Sequence, residues 1–258
     1  MKAFILYIKE PNSLKYAKEC VDSCKQFNIE YELVEGYFGK SEEYFRQNPP
    51  YIFTHTYEDP FSAVGRNTNL LNGHLMLYKK VIEYGNPAVI LEHDAIVLRD
   101  FTTVDIPDDN SIYYLSVKVY NRDDYIPPTD EFNKFKILNT EIKYDGFNAK
   151  IVTPTYCKLA LDWYTNNTQL QDPYDFENSQ LVNRFILDPL PVINDCGNGR
   201  VSTITPGSPS GVLNDYQPTW RPISFYNNLK SKELLPFYKE CKYPEMKRNM
   251  TLKDFEQK

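Results

Sequence analysis

Ala3 to Ile8 is an unbroken apolar run, the pattern of a strand buried on both faces of a parallel sheet. Ser13 is placed to cap a helix in which Leu14, Ala17, Val21 and Cys24 share one stripe. Ile29 to Val34 predicts a second strand, closed by Glu35-Gly36. Strand, helix and strand in succession predict parallel pairing with a right-handed crossover. Residues 40–67 show no clean period, contain Pro49-Pro50, Pro60 and Gly65, and read as an irregular excursion. Asn67 to Asn69 then offer caps for a helix lined by Leu70, Leu71, Leu75, Tyr78, Val81 and Ile82 and stopped by Gly85.

Ala88 to Leu91 is a short apolar strand that ends in Glu92-His93-Asp94. Ile112 to Val117 predicts another strand, and the charged, Pro-containing stretch 121–145 a surface loop. Ala149 to Val152 predicts a strand; Thr153-Pro154 then supplies an N-cap and a proline at the first helical position. That helix carries Leu159, Ala160 and Trp163. Glu177 to Leu187 is expected as a further helix and Pro191 to Ile193 as a short strand. Residues 196–258 are rich in Gly, Pro and Asn and end in a charged tail. No internal repeat is visible. The alternation predicts an α/β fold with a mainly parallel central sheet and helices on both faces. It is expected as a single domain with an irregular C-terminal third: residues 1–205 form the domain, and 206–258 an extension packed on it.

The chain has 258 residues, 41% of them hydrophobic, enough for one large core. Its 21 Tyr and 15 Phe provide flat surface suited to a sugar or a base. A net charge of −6 argues against a broad basic face for nucleic acid or anionic membrane. No run approaches the roughly 18 apolar residues of a membrane span. The N-terminal run is too short for a secretion signal and meets Lys9-Glu10-Pro11 with no small-residue cleavage site. The five Cys include no CxxC pair, which fits a reduced, cytoplasmic setting. Cys20 and Cys24 share a helix face but lack zinc-finger partners. The sequons at Asn166 and Asn249 carry no meaning without secretion.

The chemistry concentrates at Glu92 and Asp94. Two carboxylates one residue apart, after a buried strand, suit a divalent cation held against a diphosphate. Residues i and i+2 of an extended strand end point the same way, so both carboxylates are expected to face one Mn²⁺ or Mg²⁺. Ligands in open α/β sheets bind at the strands' carboxyl ends. A solvated loop or a helix cap is the alternative for the same pair.

Six segments in order resemble glycosyltransferase family 25, which includes lipooligosaccharide and collagen galactosyltransferases. Leu91-Glu92-His93-Asp94 is similar to the family's LEDD-type motif, and Val34-Glu35-Gly36 to its VDG turn. The helix with His74-Leu75 and Tyr78 resembles its SHLxxW helix, and Gly146 to Leu159 its GTHAYLISxxGAxKL block. Pro173-Tyr174-Asp175 is similar to its PxD element, and Ser202-Thr203-Ile204 to a closing SxI. The likeness spans about residues 3–205. Where the family has Asp, Ser, His, Tyr and an acidic residue, this chain has Glu35, Gly73, Asn148, Lys150 and His93; Lys15 is nearest to an early Arg.

The resemblance implies a GT-A glycosyltransferase that inverts at the anomeric carbon, with a UDP-sugar as donor, a glycan or glycolipid hydroxyl as acceptor, and a place in lipopolysaccharide biosynthesis. The donor base would lie across Tyr7 to Lys9 and Glu35-Gly36. Arg66 would meet phosphate, and His74, Glu92, His93 and Asn148 would line the donor site. Asp175 is the first choice of base, with Glu177 the runner-up. In place of an absent late His, either Asp195 or the diphosphate and water would complete the metal shell of Glu92 and Asp94. Trp220 would stack on an acceptor sugar. His55 carries no partner signal, and Trp163 reads as core. The alternatives are a phage-type transferase acting on a modified nucleobase or a protein, and a catalytically silent carbohydrate-binding protein of the same fold. A nucleotidyltransferase would want a Gly-rich loop after the first strand, where this chain has Lys9-Glu10-Pro11-Asn12-Ser13. The loop from Asn194 to Gly199 is a turn signal, since no GK[ST] follows.

Overall fold

A computed structural model describes residues 1–37, 47, 63–116, 118–119, 134–137, 144–145, 148–167, 175–179, 181–188 and 191–194. Gln47 apart, the expected excursion is thereby outside the described residues up to Ser62, and so is everything from 195 onward, including the expected extension.

The chain opens with β1 (Lys2–Tyr7), α1 (Pro11–Gln26) and β2 (Glu30–Glu35). Pro11 stands in the first turn of α1, where its missing N–H costs nothing. Ser13, expected as the cap, is inside the helix; the cap position is Glu10, and the Ser13 hydroxyl accepts the Ile8 N–H at 3.0 Å. The hydroxyl thus closes the strand-to-helix turn. The buried stripe is Ser13, Tyr16, Ala17, Cys20, Val21 and Cys24. Leu14, expected on it, is 48% exposed, because the Tyr16–Cys20 edge, not the Leu14 edge, faces the sheet. Asn28 adopts φ 54° beyond the helix end, a left-handed turn that Asn tolerates.

Next come α2 (Ala63–Tyr84), β3 (Ala88–Glu92) and β4 (Ala95–Val97). The helix starts before Asn67, so Asn67 to Asn69 are interior residues, not caps. Leu71, Leu75, Tyr78 and Val81 are buried as the spacing predicts. Gly85 stops α2 at φ +73°, its N–H reaching the Val81 carbonyl at 3.0 Å. The following elements are β5 (Ile112–Tyr114), β6 (Lys118–Val119), β7 (Lys134–Ile137), β8 (Tyr144–Asp145), β9 (Ala149–Val152) and α3 (Pro154–Asn166). Thr153 caps α3 as expected, accepting the Tyr156 N–H at 3.1 Å. The last are α4 (Asp175–Asn178), β10 (Arg184–Asp188) and β11 (Val192–Asn194).

Two further expectations are corrected. Glu177 to Leu187 is not a helix: α4 ends at Asn178, and Arg184 to Asp188 form a strand parallel to β5. Short apolar runs serve either element, and sheet pairing decides. The 121–145 stretch is not all loop, since Lys134–Ile137 pair antiparallel with β10 at the sheet edge.

Among the described residues, the main sheet has seven strands in the order β2-β1-β3-β9-β5-β10-β7. β1, β2, β3, β5 and β10 run one way, and β9 and β7 oppose them. The sheet is therefore mainly parallel, as expected. Strand alternation feeds two cores. Phe4, Leu6, Ile90 and Val152 meet Leu71, Leu75 and Tyr156 from α2 and α3. Ala3, Ile5, Val89 and Ile151 meet Cys20, Val21 and Cys24 from α1. Helices thus cover both faces. No helix among the described residues is long and apolar enough to cross a membrane.

Candidate functional site

Parallel register decides what gathers at the carboxyl edge of the sheet. Tyr7 lies opposite Glu35, and Leu6 opposite Glu92. Strands β1, β2 and β3 therefore end together. The Gly36 N–H donates to the Tyr7 carbonyl at 2.6 Å. A Cβ on Gly36 would stand 3.0 Å from Leu6 Cδ1 and 3.3 Å from that carbonyl, so any larger residue would press on both. Lys9 Nζ reaches Glu35 Oε2 at 2.7 Å. That hydrogen bond raises the Lys9 pKa.

Helix α2 brings its N-terminal half to the same edge. Its Tyr84 ring packs against Phe4, 6.1 Å between centroids. Gly73 lies where a Cβ would meet Leu6 Cδ2 at 3.0 Å. The helix thus runs antiparallel to β1, and His74 arrives at the end of β3. Its Nε2 stands 3.0 Å from Glu92 Oε1. The His74 ring is fully buried. Burial pushes its pKa down to about 3; the charge of Lys150 adds to the fall and that of Glu177 opposes it. The ring is neutral at pH 7, and its Nε2–H donates to the carboxylate. The Glu92 backbone N–H donates to the Asn148 carbonyl at 2.8 Å. The Asn148 side chain is buried, and its amide nitrogen and oxygen, like Nδ1 of His74, have no hydrogen-bond partner among the described residues.

The strand ends before the acidic pair is complete. Glu92 is the last residue of β3, and His93-Asp94 form the turn into β4. Glu92 faces α2 through His74. His93 faces α1, its ring stacked on Tyr16 at 6.0 Å and 7°. Asp94 is half-buried in the turn, so the extended i, i+2 geometry does not apply to it. Among the described residues, no three His, Cys, Asp or Glu side chains converge as a metal cluster. Glu92 and Asp94 are both hard oxygen donors, which fits an ion completed by phosphate and water.

Behind this edge lies a buried charge pair that the sequence reading did not anticipate. Lys150 Nζ bonds Glu177 Oε1, and both side chains are buried. The Tyr114 hydroxyl donates to Glu177 Oε2 at 2.9 Å and the Tyr78 hydroxyl to Oε1 at 3.4 Å. Lys150 Nζ also donates to the Tyr78 oxygen at 3.2 Å. Lys150 stands inside an apolar strand, Ala149-Lys150-Ile151-Val152. A charge there requires a buried partner, and that was the available signal. Glu177, the runner-up base, is committed to this pair. Asp175 begins α4 two residues earlier and is half-buried. Phe176 between them packs on Tyr156, Trp163 and Tyr164, so Trp163 joins the core margin.

Cys20, Cys24 and Cys157 are buried thiols that form no disulfide among the described residues. Burial pushes the Cys157 thiol well above its ordinary value. Arg66 belongs to α2, with its side chain outside the described residues. His55, Asp195 and Trp220 are also outside the described residues.

No protein-family model matches the chain, and no curated protein does. Among solved structures, it is similar to a glycosyltransferase involved in the glycosylation of the major capsid of PBCV-1. Identity there is 12% and the TM-score 0.41, over 78% of this chain and 95% of that one. It is also similar to the galactosyltransferase LgtC in complex with donor and acceptor sugar analogues. Identity is again 12% and the TM-score 0.41, over 90% of this chain and 96% of that one. Similarity at that level leaves the function to be read from this chain's own residues.

Proposed function

We propose that this chain is an inverting glycosyltransferase, moving a sugar from a nucleoside-diphosphate donor, a UDP-sugar by preference, to a hydroxyl of a glycan or glycolipid. The observation that carries the proposal is the carboxyl edge itself. Tyr7, Glu35-Gly36 and Glu92 end three parallel strands in register, and the buried, unpaired amide of Asn148 lies beside them. Open α/β sheets bind ligands at that edge.

In this proposal the nucleoside lies over Tyr7, Lys9, Glu35 and Gly36. Arg66 meets the diphosphate. Glu92 and Asp94 hold a Mn²⁺ or Mg²⁺ ion, which when bound neutralises the charge that grows on the departing diphosphate. His74 orients Glu92 through its hydrogen bond, the job that outer-shell partners of metal ligands perform. Asp175 takes the proton from the acceptor hydroxyl. Glu177 is left as the fixed anion under α4, because its carboxylate already serves Lys150, Tyr78 and Tyr114. A single displacement needs one base and no covalent enzyme intermediate.

The test is a thermal-shift panel of UDP-, GDP-, CMP- and dTDP-sugars with and without Mn²⁺, on the wild type and Asp94→Ala. A ligand at 100 times its Kd adds about 2.7 kcal/mol of stability. A Mn²⁺-dependent shift with one nucleotide, lost in Asp94→Ala with the unliganded melting temperature unchanged, is the expected result. An undiminished shift in the variant sinks the metal assignment. No shift with any donor sinks the transferase reading and favours a silent carbohydrate-binding protein.

A further inference from the structure

Two residues with buried, unpartnered polar atoms meet Glu92 at the end of β3: Asn148, through Nδ2 and Oδ1, and His74, through Nδ1. None has a hydrogen-bond partner among the described residues, although Asn148 is 1% exposed and His74 0%. Such atoms are rare in folded proteins, because burial strips them of water without replacing it. The geometry places them together. Asn148 lies across from Glu92 through the Glu92 N–H. By strand alternation it shares a face with Lys150. The same face receives His74 at Glu92 and Tyr78 at Lys150 from α2. The open amide therefore sits between the Glu92 carboxylate and the Lys150–Glu177 pair.

The three atoms fix the chemistry of what would satisfy them. A carboxamide presents donors and an acceptor together. A phosphate oxygen can only accept, and it would leave Nδ1 of His74, an acceptor once Nε2–H donates to Glu92, without a partner. A hydroxyl both donates and accepts, and it pairs with a ring nitrogen in either role. Adjacent hydroxyls on a neutral ring match the set.

We propose that Asn148 and His74 form the subsite for the transferred sugar and select the donor by its hydroxyls, while the nucleotide is held elsewhere along the edge. This rests on the glycosyltransferase reading. It deepens that reading by assigning sugar choice, as distinct from nucleotide binding, to this pair. A site built to bond a hydroxyl rejects an analogue lacking it far more strongly than an apolar pocket rejects a missing methylene.

The experiment compares the full-length wild type with Asn148→Leu and His74→Phe, using UDP and UDP-galactose with Mn²⁺ as probes and urea titration of each unliganded protein. The wild type is expected to bind UDP-galactose at least tenfold more tightly than UDP. Asn148→Leu is expected to erase that difference, with its UDP affinity within about twofold of wild type, on the scale where tenfold is 1.4 kcal/mol. Its unliganded urea midpoint is expected to equal or exceed that of the wild type, because an unpaired amide has been removed. His74→Phe serves as the second variant and is expected to lose the same selectivity. If Asn148→Leu keeps the tenfold difference, the subsite is overturned and the transferase reading stands. Equal losses of UDP and UDP-galactose affinity overturn it too, assigning the amide to the base or phosphates. A lower urea midpoint for unliganded Asn148→Leu also overturns it, because the amide would then already be paired. Wild type that binds neither probe, nor any nucleotide in the wider panel, overturns the subsite and the transferase reading together.

Discussion

Removing the ammonium of Lys150 is the sharpest perturbation this fold offers. Lys150→Met keeps the length of the side chain and deletes its charge. Glu177 would remain buried with, among the described residues, only the hydroxyls of Tyr114 at 2.9 Å and Tyr78 at 3.4 Å as donors. Breaking a buried ion pair by taking one partner costs about 3–5 kcal/mol, because the remaining charge is uncompensated. A domain has about 5–15 kcal/mol in total, so the variant is expected to lose a large share of its stability. Replacing both charges behaves differently. Lys150→Met with Glu177→Leu removes the desolvation cost as well as the attraction, and such exchanges are often neutral or stabilising by about 1–4 kcal/mol. The cycle of wild type, two single variants and the double variant, followed by urea denaturation at pH 7, separates the two terms. The double variant is expected to be more stable than Lys150→Met alone. A single-variant loss below about 1 kcal/mol would refute the reasoning, since it would mean that Glu177 finds water or another cation. A double variant as damaged as the sum of the singles would refute it by the other route.

The pH dependence of stability should carry the mark of His74. Its folded pKa of about 3 lies below the ordinary value of 6.5, so between those limits the unfolded chain binds more protons. Stability from this group is complete above about pH 6.5 and falls as pH drops toward 3. The loss is at most about 5 kcal/mol at 1.36 kcal/mol per unit. The carboxylate of Glu92 bonds the ring, and the charges of Lys150 and Glu177 lie near enough to act on it. His74→Gln should therefore flatten the stability profile over that window, and an unchanged slope by urea titration at several pH values would overturn the assignment. Thr153→Ala should cost about 1–2 kcal/mol, because its hydroxyl caps Tyr156 N–H and also bonds the Asp109 carbonyl; a change within about 0.3 kcal/mol in the denaturation midpoint would refute the cap.

The first half of the fold was legible because its elements are long or unbroken. Ala3 to Ile8, Leu71 to Val81 and Ala88 to Leu91 each follow one period, and burial follows them. Legibility failed where one residue type serves two ends. The apolar run through Arg184 to Leu187 suits a helix or a strand, and only pairing with β5 and β7 decides. Asn67 to Asn69 resemble caps, yet the helix began upstream. At the site, the sequence brought Glu35, His74, Glu92 and Asn148 forward as separate residues. It did not show that His74 bonds Glu92, which depends on how α2 crosses β1. Nor did it show that Glu177 and Lys150 share a proton-rich pocket with two tyrosines, since 26 intervening residues separate them in the chain and a sheet crossing joins them.

Strand β9 sits between β3 and β5, although it is made after both. A nascent chain can close β1, β2 and β3 early, but the hydrogen-bonding edge of Val89-Ile90-Leu91 stays open until Ala149 to Val152 emerge to fill it. Long-range insertion of a middle strand is slow, and an open apolar edge on a half-finished sheet invites other chains to pair with it. The one charge within the inserted strand is Lys150. Before docking, that charge keeps a short apolar segment from acting as sticky tape. After docking, Glu177 neutralises it. The same lysine is thus a guard against aggregation during synthesis and a clasp in the finished molecule.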